Sequence, residues 1–109
     1  MRIIEKIKRN WRYRRTWGTP VGQDCISLDT ALCRWLGQRL LFMAEHTNSH
    51  DPAYTEDAWK DTLAGHAISL LRWADRYGND WPLKDEIRHY EDAQAALRWC
   101  AANLASLWD

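Results

Sequence analysis

W-G-T-P-V-G-Q-D-C-I-S-L-D-T-A-L-C-R-W-L-G-Q-R-L-L, residues 17–41, joins a basic start to an acidic remainder and carries the first strong helix signal of the chain. Gly18, Pro20 and Gly22 break its opening into a loop that bears Asp24. Ser27 then stands where an N-cap belongs, and Asp29 in the first turn complements the helix dipole. Leu28, Leu32, Trp35, Leu36, Leu40 and Met43 recur at helical spacing, which predicts a helix over 27–47 that buries this stripe. Gly37 lies in its middle, at a cost of about 1 kcal/mol relative to Ala unless close packing needs it.

Upstream, residues 1–15 hold seven Lys/Arg against Glu5 alone, while the rest of the chain holds eight against fourteen Asp/Glu. The formal net charge of zero therefore hides a split. Ile3, Ile4, Ile7 and Trp11 predict a short amphipathic helix in a basic arm over 1–16, too short to be stable without a docking surface. Such an arm meets phosphate, meets the acidic body of its own or another subunit, or simply faces water.

Downstream, Thr55 reads as an N-cap with Glu56 and Asp57 in the first turn. Trp59, Leu63, His66, Ala67, Leu70, Trp73, Ala74 and Tyr77 form the apolar stripe of a helix over 56–77, and Gly78 reads as its left-handed stop. After the turn G-N-D-W-P, the stripe Ile87, Tyr90, Ala93, Leu97, Cys100, Ala101, Leu104 and Trp108 predicts a last helix over 83–108. Glu91 and Asp92 belong to a charged face that can dock the basic arm. No β-like alternation or internal repeat interrupts this pattern. The expected fold is all-α, a compact up-and-down bundle of three long helices plus a short basic N-terminal helix, as one domain over 1–109.

Length and composition agree with a single core. Eight Trp among 109 residues mean that much of the buried area is aromatic. Mean hydropathy is −0.62, and no apolar run approaches the roughly 20 residues of a membrane span. With no apolar segment of a secretory signal at the start, the expected location is cytoplasmic, without a membrane partner. Cys25, Cys33 and Cys100 are odd in number and lack CxxC spacing, which points to reduced thiols.

Chemistry-bearing patterns are few. His46 and His50 have a zinc-like spacing, but Asn48, Ser49 and Pro52 end the helix that would hold them, so no metal is expected. His66 sits on an apolar stripe and reads as a core histidine. No phosphate loop, nucleophile elbow or metalloprotease motif is present, and the chain reads as a non-enzyme without a cofactor. The richest segment is W-R-Y-R-R-T-W at 11–17. Arg guanidinium forks match phosphate and Trp stacks on bases, so Arg14, Arg15 and Trp17 would suit a nucleotide. Asp24, Asp29 and Arg39 would lie nearby, the carboxylates accepting from ribose or base donors. The same residues equally serve packing, snorkelling and capping, with Asp24 and Asp29 paired to Arg14, Arg15 or Arg39.

Trp17-Gly18, Asp24, Leu28-Asp29, the R-L-L at 39–41, the Y-T-E-D-A-W at 54–59 and the closing L-W-D at 107–109 make up a pattern with a resemblance. Over residues 11–109 the chain resembles a family of small, mostly uncharacterised helical proteins encoded by tailed phages and prophages. It departs from that family in having Ile26 where a Trp often precedes the Leu-Asp pair. The resemblance implies an accessory phage function rather than an enzyme. Small helical phage proteins include inhibitors of host defence, some of which trap cyclic or ADP-ribose-type nucleotide signals between subunits. The expectation is a homo-oligomeric nucleotide sponge, with a helical inhibitor of a host protein as the alternative. DNA binding through the basic helix is disfavoured by the neutral chain and the lack of a helix-turn-helix.

Overall fold

The computed structural model describes residues 2–108, except the side chains of Arg2, Tyr13, Arg14 and Thr16. Five helices follow in order: α1 (Arg2–Trp17), α2 (Pro20–Ile26), α3 (Leu28–His46), α4 (Glu56–Ala74) and α5 (Leu83–Ala102). Short 3₁₀ turns at Arg76–Gly78 and Leu104–Ser106 follow α4 and α5. Among the described residues there is no strand.

Helix α4 lies between α3 and α5 and runs antiparallel to both. It supplies Trp59, Leu63, Ala67, Leu70 and Ala74 to the core, all essentially inaccessible to water. Its two interfaces are built differently. Toward α3 the contact is close, because Gly37 stands opposite Ala67 and Leu71. A Cβ at Gly37 would lie 2.8 Å from Leu71 Cγ and 3.2 Å from the Ala67 carbonyl oxygen. Toward α5 the contact is aromatic, with Trp59 and Trp99 ring centroids 5.4 Å apart and Trp73 and Tyr90 5.0 Å apart. Ala93, Ala96 and Cys100 of α5 are buried alongside these ring pairs, so the rings flank a line of small residues.

This choice of interface turns α3 away from the expected stripe. The buried line is Thr30, Cys33, Gly37, Leu40 and Ala44, whereas Leu28, Leu32 and Trp35 are exposed and Leu36 and Met43 are half-buried. Counting apolar residues favours the bulkier line, but only the line of small residues lets α3 approach α4 closely. Similar corrections apply further along. Tyr77, Ile87, Tyr90, Ala101, Leu104 and Trp108 are exposed rather than core, and His89 is buried instead. The Trp108 ring, expected in the bundle, lies beyond the last turn and faces outward.

Three end signals also resolve differently from expectation. Pro20, read as a loop breaker, opens α2: Thr19 Oγ1 accepts from the Gly22 N–H at 3.0 Å, and proline needs no donor at a first helical position. Ser27 precedes α3 but makes no backbone cap; its hydroxyl donates to Thr30 Oγ1 at 3.3 Å. Gly78 is not left-handed. The carbonyls at the end of α4 are met by cations instead, Trp73 by Arg76 at 3.0 Å and Ala74 by Arg34 at 3.3 Å. Thr55 does cap α4, accepting from Ala58 N–H at 3.1 Å.

The molecule is elongated, 67 × 35 × 21 Å, with a radius of gyration of 18.7 Å. A compact chain of this length would have a radius of about 13 Å. The difference comes from α1, which packs on α2 and leaves Ile3, Ile4, Ile7 and Trp11 exposed. Among the described residues no helix is long and apolar enough to cross a membrane.

Candidate functional site

An open groove of about 370 Å³ lies where α2 meets the first half of α3. Gln23 and Asp24 of α2 line one side, and Arg34, Trp35, Gln38 and Arg39 of α3 line the other. The α3 residues form two adjacent i, i+4 rows, Arg34/Gln38 and Trp35/Arg39, which together make a broad wall. Arg39 is stacked on Trp35, its guanidinium carbon 4.3 Å from the ring centroid, and donates to the Trp35 carbonyl at 3.2 Å. That stacking fixes the plane of the guanidinium and leaves other N–H groups free for a ligand. Across the groove, the Asp24 carboxylate has no ion pair among the described residues. Arg34 is anchored at its far end by the Ala74 carbonyl and lies 3.6 Å from Asp75.

Of the six residues singled out from the sequence, the structure brings Asp24 and Arg39 into this groove. Trp17 adjoins it through the main chain: its carbonyl accepts from the side-chain amide of the lining residue Gln23. Arg15 stays on α1, its guanidinium 5.2 Å from the Trp11 ring. The Arg14 side chain lies outside the described residues.

Asp29 is committed elsewhere. Its carboxylate accepts from Arg76 Nη2 at 2.8 Å, tying the start of α3 to the end of α4. The pairing expected with Arg14, Arg15 or Arg39 is thus replaced by one with Arg76. That guanidinium is the most extensively held cation among the described residues. It lies 4.3 Å from the Trp73 ring and 4.4 Å from the Tyr77 ring, and its Nη1 donates to Thr30 Oγ1 at 3.0 Å. With only 10% of its side chain exposed, Arg76 is a structural staple rather than a free ligand group.

Sequence reasoning missed Arg34, Trp35 and Gln38 as groove residues, since Trp35 was assigned to the core. The available signal was the Trp35/Arg39 pair at i, i+4, the spacing at which a guanidinium reaches an indole one turn away. His66 is half-buried and stacked on Trp99 at 4.5 Å, and burial holds its pKa below the usual value. Burial pushes the Cys33 thiol up, with a further contribution from Asp29, and pushes Cys100 up as well. Cys25 is exposed. Among the described residues no three His, Cys, Asp or Glu side chains gather as a metal ion would require.

No family model, no curated protein and no solved structure matches this chain.

Proposed function

We propose that this chain is a non-catalytic binding protein that sequesters a phosphorylated nucleotide signal in the groove between α2 and α3. The observation that carries the reading is the stacked Arg39–Trp35 pair facing Asp24, which has no ion pair among the described residues, across a groove of about 370 Å³. Arg39 supplies a pre-oriented fork for a phosphate, and Arg34 adds positive charge beside it. Asp24 accepts from ribose hydroxyls or a base amino group, while the Gln23 and Gln38 amides both donate and accept. The Trp35 indole offers apolar area to a base. The resemblance to phage-encoded proteins supports extending this reading to an anti-defence sponge acting in the cytoplasm of an infected or lysogenic bacterial host.

The test is a thermal-shift screen of the purified protein against cyclic di- and trinucleotides and ADP-ribose derivatives, followed by calorimetric titration. Ligand at 100 times its dissociation constant stabilises the native state by about 2.7 kcal/mol. Arg39→Ala should weaken that ligand about tenfold or more, with helical content unchanged. A flat screen across these classes overturns the reading. The second reading, a helical inhibitor of a host protein, is favoured by the exposed line Leu28, Leu32 and Phe42 on α3.

A further inference from the structure

Two apolar stripes of complementary surroundings are left bare in one chain. On α1, Ile3, Ile4, Ile7 and Trp11 are 58–74% exposed. At helical periodicity they occupy an arc of about 100°, with Lys6 on one edge and Lys8 and Arg15 on the other. On α5, Leu83, Ile87 and Tyr90 form an exposed line with Glu86 on one edge and Glu91 on the other. None of Lys6, Lys8, Glu86 or Glu91 enters an ion pair among the described residues. The α1 stripe is edged with cations, whereas the α5 stripe has Glu86 on one edge and Glu91, with Lys84 about two turns before it, on the other.

Within a single copy the two do not meet. Helix α1 packs on α2 at the start of α3, and α4 stands between α3 and α5. The charges are nevertheless balanced inside the sequence: α1 carries seven Lys/Arg against one Glu, net +6, and the neutral total leaves −6 on the remainder. Two α1 helices would repel one another, whereas α1 and the body of a second copy attract.

We propose that α1 of one copy lies along the outer face of α5 of a second copy. Ile3, Ile4, Ile7 and Trp11 cover Leu83, Ile87 and Tyr90, and the lysine edges face Glu86 and Glu91. A two-fold pair exchanges both arms, so each copy contributes both stripes. Seven side chains with about 100 Å² exposed apiece supply roughly 700 Å² per copy, close to the ~800 Å² per partner of a stable interface. An anionic lipid surface would take up the α1 arc but leave the stripe of α5 bare. Nucleic acid would leave both apolar stripes bare. The second copy covers both, and this inference is independent of the groove between α2 and α3.

Sedimentation velocity on the full chain tests it, with circular dichroism to verify helical content. The wild-type chain should sediment as a dimer that weakens with added salt. Lys6→Glu with Lys8→Glu, and separately Glu86→Lys with Glu91→Lys, should each weaken association on the order of tenfold or more. All four substitutions in one chain should restore it, an outcome that a loss of folding does not produce. Ile7→Asp should abolish it while leaving the α3–α4–α5 helices intact. A monomeric wild type overturns the proposal, as does a dimer indifferent to the α5 reversal or a quadruple variant that stays monomeric. A monomer that co-sediments with phosphatidylglycerol vesicles would assign α1 to lipid instead.

Discussion

Adding one methyl group at two glycines should move stability in opposite directions. Gly37 and Gly65 both lie inside long helices, so replacement by Ala recovers about 1 kcal/mol of helix propensity at either position. At Gly65 the new Cβ has nothing within 4 Å, so the whole gain should appear. At Gly37 it would lie 2.8 Å from Leu71 Cγ, 3.0 Å from Leu71 Cδ2 and 3.2 Å from the Ala67 carbonyl oxygen. Cγ is the branch point of Leu71, and the carbonyl belongs to the α4 backbone, so relief requires moving a helix or a rotamer. Overpacking of that kind costs about 1–3 kcal/mol, and its middle value of about 2 kcal/mol outweighs the propensity gain. The expected result is a net loss of about 1 kcal/mol for Gly37→Ala against a gain of about 1 kcal/mol for Gly65→Ala. In thermal melts that is about 4 °C down and about 4 °C up. Urea midpoints at constant slope would check the sign independently. If Gly37→Ala stabilises as much as Gly65→Ala, the close α3–α4 contact does not constrain the fold, and the account of why α3 buries its small residues fails.

Arg76→Ala should destabilise the chain by about 2 kcal/mol in urea unfolding, since it removes the Asp29 and Thr30 contacts and two ring contacts. Asp29→Asn, at a half-exposed side chain, should cost about half of that, and an effect larger than that of Arg76→Ala would contradict the staple. Burial lowers the His66 pKa in the folded chain, so the unfolded chain binds more protons below its ordinary value near 6.5. The His66 contribution is therefore intact above that value and is lost as pH falls from it toward the folded pKa. His66→Gln should flatten this part of the stability–pH profile, and an unchanged profile would refute the assignment. Of the three thiols, only Cys25 should react quickly with a thiol reagent under native conditions, because Cys33 and Cys100 are buried with raised pKa values. Fast labelling of all three in the folded protein would show that the α3–α4–α5 core opens readily.

The long helices were legible because they depend on local spacing and local caps, whereas the short α2, expected as a loop, was not. The stripe from Trp59 to Ala74 and the Thr55 cap need no knowledge of neighbours, and α4 follows both. The side that α3 buries was not legible. It carries a large apolar line through Leu32 and Trp35 and a small one through Cys33, Gly37 and Ala44, and a sequence ranks these by hydrophobicity alone. Arg76 was overlooked for the same reason, since its partners Asp29 and Thr30 lie more than forty residues away.

By itself the sequence determined an all-helical chain with its charges separated into a basic first helix and an acidic remainder. Periodicity and charge are properties of neighbouring residues and survive in the unfolded chain. Only the tertiary structure decided that Arg39 and Asp24 share a groove, that Asp29 pairs with Arg76, and that α1 stands away from the core. Those outcomes depend on how closely two helices can approach, which is set at Gly37 and Trp99 by the volumes on both sides of each interface at once.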